Sequence, residues 1–272
     1  MMKSIKCIVT TGHKYNTTVV QTAKQKAAEL NLLFIARENL SIESIRATYQ
    51  TEFVLVVKKT GLLLATLEGD FFFHPNMAQL RLKNLLKGQK DNMLEAMQLK
   101  QGMEVLDCTL GMASDAIIAS FAVGVKGRVV GVEASSLMAT VIQDGLKTFS
   151  AVEPLGLQSA MRRIEVIQQD YGNYLKLVPD KSFDVVYFDP MFRHPLQDSL
   201  HLLPLRALAD HRAVTVEAIK EARRVARQCV VMKENSRSLE FVRLGADRVV
   251  GGKYSHVHYG IIDVKNNFDF RN

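Results

Sequence analysis

From Gly102 onward, short apolar runs alternate with stretches of helical spacing, and an acidic residue stands at or just beyond the end of each of the first four runs. Val105–Asp107 closes on Asp107 and Arg128–Glu133 on Glu133; Ile164–Gln168 is followed by Asp170, and Phe183–Phe188 by Asp189. Strands separated by helices cannot pair as tight hairpins. They need crossover connections, and so a mostly parallel sheet with helices on both faces. Helices are expected over Ser114–Ala122, Leu137–Thr148, Thr215–Ala226 and Ser238–Leu244. Cys229–Met232, Arg248–Val250 and His256–Val264 complete seven strands, the last two as a hairpin adding an antiparallel edge. The expected fold is α/β, a Rossmann-like, doubly wound, seven-stranded sheet. In such sheets ligands gather outside the carboxyl ends of the strands, so the acidic tips should share one rim.

A smaller α/β unit precedes this, over residues 1–75. Lys6–Thr10 and Leu33–Ala36 read as strands, Thr17–Leu30 and Ser41–Tyr49 as helices capped by Thr17 and Ser41. Phe53–Lys58 and Leu62–Leu67 flank a turn at Lys59-Thr60-Gly61. Thr10-Thr11-Gly12-His13-Lys14 reads as an ordinary βα loop, an anion-binding turn being the other use of such a sequence. The second domain spans residues 76–272. Residues 76–101 supply leading helices, Asn76–Leu86 with Arg81, Lys83 and Lys87, and Asn92–Met97 capped by Asp91.

The loop after Val105–Asp107 is Asp107-Cys108-Thr109-Leu110-Gly111-Met112-Ala113-Ser114-Asp115. Gly111 permits a tight turn and close backbone approach. Asp107 and Asp115 flank the loop and would repel a pyrophosphate. They suit a cationic ligand carrying an ammonium and a sulfonium, which favours S-adenosylmethionine over a nicotinamide dinucleotide. Thr109, Gly111 and Ser114 line the same loop. Glu133, 26 positions after Asp107, is placed to take the two ribose hydroxyls. Asp170 can accept from an adenine amino group, with Tyr171 packed near the ring. Asp189-Pro190-Met191-Phe192 offers a carboxylate, a free backbone carbonyl and an aromatic face to a flat nitrogen base. Each acid also has a plainer use, as a strand end, a helix first turn or a solvated turn. Their order along the chain is the stronger signal.

These motifs resemble class I SAM-dependent methyltransferases, and more narrowly the small-subunit ribosomal RNA guanine-N2 methyltransferases that share an Asp-Pro-Met-Phe motif. The similarity runs from about His74 to Val264. It includes the basic helix before the first strand, the Asp107–Asp115 loop, Glu133-Ala134, Val186-Tyr187-Phe188-Asp189-Pro190-Met191-Phe192 and Val230-Val231-Met232-Lys233. The resemblance implies cofactor contacts at Ser114, Asp115, Glu133, Ala134, Asp170, Tyr171 and Asp189, with Asp189, Pro190 and Phe192 facing a target amine. The chain departs from that pattern at Ala113, Ser114, Asp170-Tyr171 and Arg193.

A net charge of +7, from 35 basic and 28 acidic residues, fits a polyanionic partner. RNA is expected, ribosomal RNA or the small ribosomal subunit, with Arg81, Lys83, Lys87 and Arg193 as candidate phosphate contacts. Three widely spaced cysteines in apolar contexts read as buried thiols in a reducing compartment, so a cytoplasmic protein is expected, with no membrane span. The seven histidines are scattered, and no metal is assigned. Competing readings are a methyltransferase of DNA adenine, protein or a small molecule, and a non-catalytic RNA-binding protein on the same fold.

Overall fold

The computed structural model describes residues 6–151, 154–190, 208 and 210–264. Their contacts divide them into two units.

The first unit holds residues up to His74 together with Ser136–Phe149. Its sheet is ordered β2 (Leu33–Phe34), β1 (Cys7–Thr11), β3 (Phe53–Lys58), β4 (Gly61–Thr66), β5 (Gly69–Phe72). β1 pairs in parallel with β2 and β3; β3, β4 and β5 are antiparallel. Lys58 pairs with Gly61, leaving the two-residue turn Lys59-Thr60. Helix α1 (Thr17–Glu29) is capped by Asn16, whose side chain accepts from Val19 N, rather than by the expected Thr17. Helix α2 (Ile42–Tyr49) has the expected Ser41 cap. Its Ile45 packs with Ile8, Val54, Val56 and Ala65. Of Thr10–Lys14, the first three residues are buried, the Thr10 hydroxyl donating to Ile35 O and Gly12 N–H to Val57 O, while His13 and Lys14 are exposed.

Helix α6 (Ser136–Thr148) also belongs to this unit, although a single boundary at 75/76 had placed it in the second. Gly145 explains how it packs. A Cβ there would lie 2.1–2.4 Å from Phe73 side-chain atoms, so only glycine lets that ring sit against the helix.

The second unit carries seven strands: β6 (Glu104–Asp107), β7 (Arg128–Glu133), β8 (Ile164–Gln168), β9 (Phe183–Phe188), β10 (Ala226–Asn235), β11 (Arg248–Val250) and β12 (Val257–Asp263). Their spatial order is β11-β12-β10-β9-β6-β7-β8. All pairs are parallel except those of β12, which runs antiparallel to both β10 and β11. The β11–β12 hairpin adds the expected antiparallel edge, with β11 outermost and β12 joining it to β10. The chain winds outward from β6 through β7 to β8, then returns to β6's other side as β9. The crevice between β6 and β9 is the switch point where such sheets bind ligands.

Helices α3 (Asn76–Leu86), α4 (Asn92–Met97), α5 (Ser114–Val123) and α7 (Leu157–Arg162) precede or connect the strands, as do α8 (Tyr171–Leu177), α9 (Val216–Val225) and α10 (Glu240–Arg243). β5, α7 and α8 were not anticipated from sequence. Alternate residues of the central strands serve opposite faces. Val186, Phe188, Val230 and Met232 pack with Leu175 of α8 and with Ala218, Ile219 and Ala222 of α9. Tyr187, between Val186 and Phe188, reaches the other way, to Asp115 of α5. Burying Phe183 or Phe188 contributes about 1.5–3 kcal/mol relative to leaving it exposed.

Candidate active site

Strand register assembles the rim. Asp107 pairs with Tyr187 on one side and Gly131 on the other, so Asp189 and Glu133 each lie two residues further out. Glu133 pairs with Gln168, two residues before Asp170. The four acidic tips therefore stand in sequence along one sheet edge.

The loop after β6 is held by its neighbours. Asp107 Oδ1 accepts from Thr109 N at 3.0 Å. Cys108 N donates to Tyr187 O and Leu110 N to Val132 O. Thr109 Oγ1 accepts from Asp189 N at 2.5 Å, tying the loop to β9. Glu133 ties it to β7, accepting from Gly111 N at 3.2 Å and Ser135 N at 2.9 Å. Gly111 (φ +48°) and Ala113 (φ +60°) both occupy the left-handed region. Ala113 has no side-chain cap to give, so the first amides of α5 lack the usual side-chain acceptor. Ser114 and Ala134 are partly exposed beside them.

The carboxylates differ in charge state. Asp107 is 2% exposed, and burial pushes its pKa up to about 8. Among the described residues it has no ion-pair partner within bonding distance. Burial also raises Glu133. Asp115 is different. It is bound by Arg81, by Tyr187 Oη at 2.8 Å and by Lys233 Nζ at 3.1 Å. Burial opposes its ionisation, but Lys233 and Arg81 outweigh that and hold it well below the usual carboxylate range. Asp115 is a network hub, not the open flank of the loop that the sequence suggested. Asp189 Oδ2 lies 2.7 Å from Lys233 Nζ. Burial, with Asp115 adding to it, still raises Asp189 despite that ammonium.

Two other expectations change. Arg81 is not free for phosphate: its guanidinium takes Asp91 at 2.8 and 3.0 Å and also Asp115, and its side chain is 20% exposed. Lys83 and Lys87 on the same helix are exposed. Asp170 caps α8 by accepting from Asn173 N, and pairs with Arg212 at 2.5 Å. Tyr171 sits edge-on to Phe188, ring centroids 5.5 Å apart. Pro190 is partly exposed; Phe192 and Arg193 lie outside the described residues. Sequence reasoning missed Lys233 and Tyr187 as site residues. The available signal was position: Lys233 follows the apolar run of β10 as Asp189 follows that of β9.

The described acids of this crevice and its rim, Asp91, Asp107, Asp115, Glu133 and Asp189, outnumber the cations that pair with them, Arg81 and Lys233. Such a site suits a cation. The family described as "Putative SAM-dependent methyltransferase" matches residues 39–252. The chain belongs to that family. Its cofactor is S-adenosylmethionine, and the unpaired Asp107 and the acidic excess fit that cationic molecule. The methyltransferase is 42% identical over 257 residues to uncharacterized protein YpiP of Bacillus subtilis (strain 168), covering 94% of this chain and 98% of YpiP. It is 31% identical over 157 residues to ribosomal RNA small subunit methyltransferase J of Cellvibrio japonicus (strain Ueda107), covering 52% of this chain and 56% of that protein. The solved SAM-dependent methyltransferase NGO1261 of Neisseria gonorrhoeae superposes with a TM-score of 0.66 at 15% identity, over 96% of this chain and 97% of that one. It shares the fold.

Proposed function

We propose that this methyltransferase modifies an exocyclic amine of an RNA base, and that guanine N2 in small-subunit ribosomal RNA is the target. The observation carrying the reading is Asp189: an acid at the switch-point crevice, its backbone fixed by Thr109 and its carboxylate anchored on one oxygen. The partial matches to proteins named ribosomal RNA small subunit methyltransferase J support the RNA target.

In this reading the loop after β6 receives the methionine end of the cofactor. Asp107 faces its cationic groups and the uncapped amides of α5 its carboxylate. Glu133 takes the ribose hydroxyls and Ala134 lies beside them. Asp170 keeps acceptor capacity beyond its two described bonds for the adenine amino group, next to Tyr171. Bound S-adenosylmethionine supplies a methyl group activated by its sulfonium. The chain's own task is to present the amine. An exocyclic amine is a weak nucleophile because its lone pair is delocalised into the ring. Asp189 and the Pro190 carbonyl accept hydrogen bonds from the amine hydrogens, which favours a pyramidal nitrogen and frees that lone pair. Holding both reactants in line can supply as much as ~7–11 kcal/mol. The base must leave its stack to reach this rim, and Phe192 is proposed to stack on it. Exposed Lys83 and Lys87, with Arg193, are proposed to meet phosphates.

Label transfer from tritiated S-adenosylmethionine into ribosomal RNA, DNA and protein fractions of a deletion strain tests the substrate class, and nucleoside mass spectrometry tests the position. Label in RNA, with N2-methylguanosine restored, is expected; label confined to DNA or protein defeats the reading. Asp189→Ala should lower kcat on the order of 10²–10³-fold while cofactor binding, measured by calorimetry, persists. Normal turnover in that variant removes Asp189 from the chemistry.

A further inference from the structure

Lys233 stands at the same rim, and the reading above gives it no task. Register puts it there. Val231 pairs with Tyr187 and Met232 with Phe188, so Lys233 and Asp189 are the next step outward on adjacent parallel strands. The ammonium touches both Asp189 and Asp115. Asp115 is fixed in turn by Arg81, and Arg81 by Asp91 at the start of α4. A continuous chain of charges, Asp91–Arg81–Asp115–Lys233–Asp189, thus runs from α3 and α4 to the tip of β9. Its members are largely buried; the side chains of Lys233 and Asp189 are 20% and 28% exposed. Buried ion pairs are a weak means of gaining stability, since apolar replacements are often neutral or better. This chain ends on Asp189, at the tip of β9 beside the crevice.

We propose that Lys233 is a positioning residue for methyl transfer: it fixes one oxygen of Asp189 so that the other faces the target amine. The inference rests on the reading of Asp189 as the acceptor for the amine. The groups around Asp189 and its anchor are Lys233 on β10, Asp115 on α5, Asp107 on β6, Tyr187 on β9 and Tyr259 on β12. Asp115 and burial favour protonation of Asp189; Lys233 is the contacting cation that opposes them. Removing the ammonium therefore raises the proton affinity of Asp189.

The test uses the full-length protein. Carboxyl-carbon NMR, with Asp189→Asn assigning the signal, follows Asp189 through pH in wild type, Lys233→Met and Lys233→Arg. In Lys233→Met the titration should move up by about one pH unit or more, and in Lys233→Arg it should stay near wild type. Label transfer into ribosomal RNA of the deletion strain should lose roughly tenfold or more in kcat in Lys233→Met. KM for S-adenosylmethionine should be retained, and the acid limb of the profile should move with Asp189. If Lys233→Met fails to fold, the comparison moves to an Asp115→Asn background, Lys233→Met with Asp115→Asn against Asp115→Asn alone, so that only the ammonium differs between the two proteins. An unchanged Asp189 titration in either folded variant overturns the inference. A shifted titration in a protein that transfers no label to RNA defeats the RNA reading and leaves the positioning role of Lys233 standing.

Discussion

The two halves of the rim treat their carboxylates differently. On the β9 and β10 side, Asp115 and Asp189 share Lys233, and Asp115 also holds Arg81. On the β6 and β7 side, Asp107 and Glu133 are held, among the described residues, by backbone amides, and burial raises both pKa values. One half is balanced by the protein's own cations. The other has no ion-pair partner among the described residues. A buried carboxylate with amide donors but no cation is poised to respond to a ligand, whereas a matched one is a fixed part of the frame.

The largest expected effect comes from breaking the balanced half. Arg81→Met leaves Asp115 and Asp91 short of a cation in a site where Asp115's side chain is 9% exposed. Removing one partner of a buried pair costs about 3–5 kcal/mol. Urea unfolding should show a loss of that order, partly recovered when Asp115→Asn is added. A loss of about 1 kcal/mol or less would mean that Arg81 behaves as a surface pair, and the contrast between the halves would fail.

The next effect sharpens the unbalanced half through pH. Asp107 has a folded-state pKa near 8, above its ordinary 3.8. The ligand-free fold therefore holds this proton more tightly than the unfolded chain does. Its contribution to stability is fully present below pH about 4 and is lost as pH rises through about 8. A cationic ligand pulls the pKa back down. Binding of S-adenosylmethionine at pH 7 should release about one proton, and affinity should rise up to roughly tenfold per pH unit between 6 and 8. Calorimetry in two buffers of different ionisation enthalpy measures this. In Asp107→Asn both the proton release and the pH slope should vanish. A wild type that releases no proton would show that Asp107 does not face the cofactor's charge.

The frame was far more legible in the sequence than the charge balance. Apolar runs bounded by turns gave β7 and β11 their full extent, and the βα alternation gave the parallel sheet, because both signals are local. Short elements are hidden where one residue has two uses: Asp170 suits a ligand acid as well as the cap of the helix that follows it. The antiparallel strand β12 slots between β10 and β11, a choice made by tertiary pairing rather than by the hairpin's own sequence. Gathering of the acidic tips followed from strand order. Their charge states did not, because the partners of Asp115 lie 34 and 118 positions away, at Arg81 and Lys233. Nothing local marks Arg81 as inward-facing while Lys83, two residues on, is exposed.

The smallest effect belongs to the far end of the rim, where Asp170 meets Arg212. That pair is short, but Arg212 is 61% exposed and also bonds Asp210. Exposed pairs of this kind contribute only ~0–1 kcal/mol, because water screens the charges and ordering the side chains offsets the attraction. Arg212→Ala should therefore change stability by less than about 1 kcal/mol, while Asp170→Ala, which also removes the cap on α8, should cost about 0.5–2 kcal/mol. The two substitutions separate the capping role of Asp170 from its surface pairing. If Arg212→Ala also left the affinity for S-adenosylmethionine unchanged while Asp170→Ala weakened it, Asp170 would join Asp107 and Glu133 among the acids proposed to hold the cofactor. Equal affinity losses in both would instead tie the adenine end of the site to the ion pair itself.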